Sequence, residues 1–307
     1  MPSKIPKRET KLLKEYLDFL RHHQCSAEAT IVIRKSFVTP FLLQLNEIAR
    51  PSKLKALSAK TIHDYIIKTA APLHRASKKH LSSTMRSFLR FAYIRGYLNC
   101  DLVPAVPVIL TRKLDRLPES VPWENIQKLL TMPDRGTHVG RRDYAVLLLC
   151  VHYGVRIGQV ISLKLSDIHW DEGCICFSAC KQSNGLRLPL HTEVARALLD
   201  YIKSDRQNPS FQQVFLTVRG KQRPLSVYNR FYTCIQKYYA QAGFESKPWG
   251  TRQLRHAFAT RLVSQNVSIK TIADLLGHRH IETTFIYTKV NFEQLRTLAR
   301  EWPEVEK

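Results

Sequence analysis

Five positions in the second half of this chain place a cation, an imidazole or a phenol where one local pattern gives way to the next. Arg156 lies in Gly154-Val155-Arg156-Ile157-Gly158-Gln159-Val160, just after an apolar helical run. Lys181 precedes Gln182-Ser183-Asn184-Gly185, at the tip of a candidate hairpin. Arg255 sits early in a helical run that opens Arg252-Gln253-Leu254-Arg255-His256, His278 follows Leu275-Leu276-Gly277, and Tyr287 comes nine residues after His278. Guanidinium and ammonium groups bind anionic oxygens, and a phenol can serve as a nucleophile. Taken singly, each has a plainer explanation. An Arg after a helix complements its dipole, a Lys in a turn is solvated, and a Tyr in an apolar segment is packed. Only the set points to chemistry on an anion.

The charge of the chain says the same. Its 307 residues carry 48 Lys+Arg against 25 Asp+Glu, a net +23, within an ordinary globular composition of 44% hydrophobic and 24% charged residues. The excess is not a tail: residues 1–110 are net +12 and residues 111–307 net +11. So much positive charge over two folded halves argues against a metabolic enzyme and predicts that both halves meet a polyanion's phosphate backbone. No apolar run approaches the roughly 20 residues of a membrane span. The start, Met1-Pro2-Ser3-Lys4-Ile5-Pro6-Lys7-Arg8, lacks a signal-peptide core. Seven scattered cysteines suit reduced thiols. The expectation is a cytoplasmic protein with no membrane partner.

The elements that must position these residues fall into two domains. Residues 1–98 read as helical: Leu12, Leu13, Tyr16, Leu17 and Leu20 mark a first amphipathic helix. A second starts after Ser26 as N-cap, with Pro40 predicting a kink or break, and a third starts near Ser58. A fourth over 77–95, ended by Gly96, also carries Lys78, Lys79, Arg86 and Arg90, candidates for contact with that phosphate backbone. Residues 99–120, with Pro104, Pro107 and Pro118, read as an interdomain linker. The second domain, 121–307, opens with Pro122 in a helical first turn and has a buried helix over 141–153. Alternation of Ile175, Phe177 and Ala179, then Leu186, Leu188 and Leu190, predicts a hairpin turning at Asn184-Gly185. Helices follow over 192–203, 226–242, 251–265, 268–276 and 292–302.

The chain resembles the tyrosine recombinase (phage-type integrase) family over essentially its whole length. The family's motifs read here as Arg156 in Gly-Val-Arg-Ile-Gly-Gln, Lys181 on a hairpin leading to Arg187-Leu188-Pro189-Leu190, Arg252-Gln253-Leu254-Arg255-His256, Leu276-Gly277-His278, and Tyr287. The resemblance implies a mainly α protein with a small β-sheet in the C-terminal domain. A helical, SAM-like core-binding domain and an α+β catalytic domain would form a clamp around DNA. The partners implied are double-stranded DNA, a homo-tetramer on two sites, and other recombinases. Two-domain Xer-like and transposon-borne members are the nearest in size.

The resemblance also implies roles. Tyr287 attacks the scissile phosphorus to give a 3′-phosphotyrosine and expels the 5′-hydroxyl. Arg156 and Arg255 clamp the non-bridging oxygens, Lys181 protonates the leaving oxygen, and His278 hydrogen-bonds the phosphate. No cofactor and no metal is called for. Two positions depart from the family pattern. Arg252 stands where a histidine is usual; it can donate to phosphate but cannot shuttle a proton near neutral pH. His256, one place after Arg255, is expected to point elsewhere on the helix. Gln159 stands where Glu is usual, a change expected to carry small weight. A DNA-binding relative with impaired catalysis and a type IB topoisomerase remain as alternatives. Cys174, Cys176 and Cys180 lack a second ligand pair at zinc spacing, Trp249 reads as packing, and Tyr232 and Tyr239 are nearby spare tyrosines without the right spacing from His278. The apolar side of 292–302 predicts docking, either on its own domain or on a neighbouring protomer.

Overall fold

Apolar residues at three- and four-residue steps make the first part of the chain helical and give each helix a face to bury. The structure, a computed structural model, describes residues 11–45, 51–109, 121–179, 184–218, 220–226, 231–244 and 249–288. The chain divides into two compact units, Met1–Lys113 and Leu114–Lys307. The first unit contains α1 (Lys11–His22), α2 (Glu28–Gln44), α3 (Ala59–Ala70) and α4 (Arg75–Ile94). Its core joins Tyr16, Leu17 and Leu20 of α1 to Phe41 of α2, Ile62 of α3, and Phe88 and Phe91 of α4. Tyr16 meets Phe88 edge-on, with ring centroids 5.3 Å apart.

Two local expectations change. The N-cap of α2 is Ala27, with no side-chain hydrogen bond, rather than Ser26. Pro40 lies inside α2 without breaking it: the helix runs on to Gln44, because the burial of Val38, Phe41 and Leu42 holds both sides together. Ser58 does cap α3, its Oγ accepting from the Thr61 amide at 3.2 Å. Residues 99–109, placed in a linker by their prolines, pack onto this unit. Leu102 and Val106 join its core, and Arg86 Nη2 donates to the carbonyls of Val106 and Pro107, each at 2.9 Å.

The second unit contains α5 (Trp123–Leu130), α6 (His138–Tyr153), α7 (Ile157–Ser162), the strands β1 (Ile168–His169), β2 (Cys174–Phe177) and β3 (Leu186–Pro189), α8 (Thr192–Asp205), α9 (Phe231–Gln241), α10 (Thr251–Ser264) and α11 (Ile269–Leu275). Helix α6 is its axis. Every residue from Ala145 to Val151 is buried, so its sequence is apolar all round rather than on one face. It ends at Gly154, where φ is +58° and a Cβ would stand 2.4 Å from Phe258 Cδ1. Only glycine satisfies both constraints there. The sheet is antiparallel in the order β1-β2-β3, with Ile175 opposite Leu188 and Phe177 opposite Leu186. The hairpin is real, but Asn184-Gly185 is not a two-residue turn: Phe177 is paired to Leu186, so eight residues, 178–185, separate the strands. The strand β1, too short for an alternation signal, was not expected. Among the described residues no helix is long and apolar enough to cross a membrane.

Candidate active site

The first two turns of α10 carry Arg252, Arg255 and His256. Arg255 is 7% exposed. Its Nη1 donates to the Gly154 carbonyl at 2.8 Å and its Nη2 to the Leu276 carbonyl at 2.9 Å. One guanidinium thus ties the end of α6 to the end of α11. Arg156 lies two residues beyond the first anchor and His278 two beyond the second, so the sequence-distant candidates converge here.

Each is then set locally. Arg156 caps α7, its amide donating to Gln159 Oε1 at 3.3 Å. Gln159 is 1% exposed and uses its other end as well, Nε2 donating to the Ser178 carbonyl at 3.1 Å. A glutamate could accept from Arg156 but could not donate to Ser178, so this departure from the family pattern carries more weight than expected. Gly277, at φ +62°, closes α11, and His278 Nδ1 lies 2.7 Å from the hydroxyl of Thr284, which is fully buried. The Tyr287 ring packs with Ala259, Val263, Ile272 and Leu276 between α10 and α11. Its hydroxyl is 2.9 Å from His256 Nδ1, and Arg252 Nε donates to His256 Nε2 at 3.2 Å. The expectation that His256 points elsewhere is therefore corrected. Arg252 and His256 are four residues apart and share a helix face, and Tyr287 arrives at that face. Sequence reasoning missed His256 and Thr284; the four-residue spacing was the signal for the first.

The electrostatics are cationic. Burial, then Arg252 and Arg255, holds His256 down at about 4. Burial, then Arg255, Arg156 and His256, holds His278 down at about 4. Both imidazoles are neutral at pH 7. Burial raises the Tyr287 phenol above its ordinary value, while Arg255, Arg252 and Arg156 pull it back.

Lys181 lies outside the described residues. The described residues on either side of it are nonetheless fixed beside these groups: Ser178 by Gln159, and Asn184 by its amide donating to the Gly277 carbonyl at 3.0 Å. Tyr239 is buried against Phe244 and Trp249, as packing. The side chain of Tyr232 and the segment 292–302 lie outside the described residues. In the first unit Lys79, Arg86 and Arg90 line a cleft of about 480 Å³ with Arg34; Lys78 is not among its lining residues, and Arg86 is partly spent on the 106–107 carbonyls. Among the described residues, the group able to share an ion is His152, His191 and Glu193, with donor atoms within 4.8 Å of one another. It sits on the surface of the second unit, where Tyr144 and His152 already hydrogen-bond Glu193.

Comparison with known proteins settles the kinship. The model of the phage integrase family matches residues 119–294. The chain belongs to the phage integrase family. As a member of this tyrosine recombinase family it cleaves and rejoins DNA strands in site-specific recombination. It is 32% identical over 294 residues to the integrase/recombinase y4rA of Sinorhizobium fredii, across 95% of this chain and 70% of that protein. It is 30% identical over 260 residues to the tyrosine recombinase XerD of Xanthomonas campestris, across 81% of this chain and 79% of that one. The fold of this integrase-family chain is similar to that of the XerH recombinase in a post-cleavage complex with its difH substrate. The TM-score is 0.67 at 18% identity, covering 98% of this chain and 99% of the other.

Proposed function

We propose that Tyr287 is the nucleophile of this recombinase and that Arg156, Arg255, His278, Arg252 and Lys181 serve the phosphate it attacks. The Tyr287 oxygen bonds to the scissile phosphorus as the bond to the 5′-oxygen breaks. That leaves a 3′-phosphotyrosine and a 5′-hydroxyl, and the reverse step rejoins a strand. Arg156 and Arg255 donate to the two non-bridging oxygens, where negative charge grows in the transition state. Lys181 gives the leaving oxygen its proton. His278, neutral, donates to the phosphate through Nε2; this requires the Thr284 hydroxyl to donate to Nδ1. The observation that carries this reading is the surroundings of Tyr287: a buried phenol 2.9 Å from His256, to which Arg252 donates, with Arg255 and Arg156 close enough to act on it.

Double-stranded DNA is the partner, with the first unit, Met1–Lys113, as the core-binding domain, the second, Leu114–Lys307, as the catalytic domain, and Lys78, Lys79 and Arg90 supplying phosphate contacts. Four protomers act on two duplexes, linked through 292–302, and serve a mobile element or dimer resolution. Incubation with a duplex nicked near the scissile phosphate tests the chemistry. Loss of the short 5′-hydroxyl fragment should trap the protein on DNA, and no trapped protein with intact DNA binding would mean that catalysis is lost.

A further inference from the structure

We propose that His256 is a further catalytic residue, a fixed hydrogen-bond donor to the Tyr287 oxygen, and that Arg252, besides serving the phosphate through its other N–H groups, is the positioning residue that makes it one. The inference rests on Tyr287 being the nucleophile. A guanidinium is always protonated, so Arg252 Nε can only donate. It donates to His256 Nε2 at 3.2 Å, and that nitrogen must therefore be the bare one. A neutral imidazole has one N–H and one acceptor, which leaves the proton on Nδ1, 2.9 Å from the Tyr287 oxygen. The hydroxyl lone pair, not the hydroxyl proton, faces His256.

This arrangement excludes His256 as the general base. It stabilises the phenolate as charge develops on Oη, in the way that a donor in an oxyanion hole does. His256 keeps its proton throughout; the phenol proton leaves on the other side, to solvent or phosphate oxygen. It also gives Arg252 a use that a histidine at that position does not guarantee, since an imidazole could present either a donor or an acceptor to His256. The groups facing His256 are Arg252 and Arg255 on its own helix, with Tyr287 and His278 from the following segment.

Single-turnover adduct formation by the full chain on a nicked duplex separates the possibilities. Asparagine places an amide N–H near the position of Nδ1 but cannot take up a proton. His256→Asn should stay within about tenfold of the parent, and His256→Ala should fall about 10²-fold, the loss typical of a single transition-state donor. Both should bind DNA as the parent does. If His256→Asn is as slow as His256→Ala, His256 is a base and the proposal is wrong. If His256→Ala matches or exceeds the parent rate, the contact is idle or a restraint, and the proposal is again wrong. Arg252→Met should slow the reaction in the parent but cost little further in His256→Asn, whose amide needs no tautomer fixed; an equal loss in both backgrounds would remove its positioning role. An adduct formed by Tyr287→Phe would instead sink the nucleophile assignment itself, independently of the His256 results.

Discussion

Tyr238 and Tyr287 are both buried in the second unit, and each hydroxyl has a partner at 2.9 Å. Tyr238 donates to the carboxylate of Asp143, which Arg142 holds through Nε and Nη2 at 2.9 and 2.7 Å. Burial and Asp143 together drive its phenol far above the ordinary range. Tyr287 is buried more deeply still but sits beside His256 and in the field of Arg255, Arg252 and Arg156, which act in the opposite direction. Burial alone makes a phenol inert; the sign of the neighbouring charge decides whether it can become a phenolate. The two arginine groups differ in the same way. Arg142 neutralises a core carboxylate, whereas Arg255 is oriented by carbonyls, which fix its direction without cancelling its charge.

The largest test of this contrast exchanges the hydroxyls. Tyr287→Phe should abolish the covalent adduct while retaining DNA binding. Tyr238→Phe should retain adduct formation but lower unfolding free energy by about 1–3 kcal/mol, because it strips a donor from a buried carboxylate; denaturant titration measures this. Loss of adduct in a folded Tyr238→Phe protein would break the comparison. Next in size, Arg255→Ala and Arg156→Ala should each slow cleavage by about 10²–10³-fold, read as the rate of adduct formation. Arg255→Ala should also lower the melting temperature, since it unties Gly154 from Leu276. A cleavage rate equal to the parent's in either variant would remove that arginine from the phosphate clamp.

Smaller effects sharpen the picture. Gln159→Glu should cost about 1 kcal/mol, the worth of the hydrogen bond to Ser178, and slow adduct formation by about fivefold through the loop that carries Lys181. An unchanged rate would show that Ser178 does not transmit to the site. A further effect is on pH stability. His256 and His278 are held at about 4 in the folded protein, against about 6.5 when unfolded. The unfolded chain therefore binds more protons between those values. The stability present above pH 6.5 should be lost as pH falls towards 4, and His256→Asn should flatten the fall in melting temperature.

Much of this was legible in the sequence. The helices of the first unit follow from leucine and aromatic spacing, and Arg156, Arg255, His278 and Tyr287, far apart in sequence, lie close enough in space to act on one another. What was not legible depended on approach from elsewhere in the chain. The spacing of Arg252 and His256 implies that they touch, but nothing in it says that Tyr287, 31 residues on, packs against the same face. Asn184-Gly185 looks like a tight turn, yet the register of Phe177 with Leu186 makes it the end of a longer loop. Pro40 signals a break that core packing overrides, and the prolines of 99–109 hide a segment that buries Leu102 and Val106.

The central claim is that the cation-ringed phenol, and not a carboxylate-bonded or merely packed one, reacts with DNA. Trapping the protein on a nicked duplex, digesting it and locating the nucleotide-bearing peptide by mass spectrometry tests this directly. The account predicts a 3′-phosphate ester on Tyr287. The same ester found on Tyr238, Tyr239 or any other residue would contradict it.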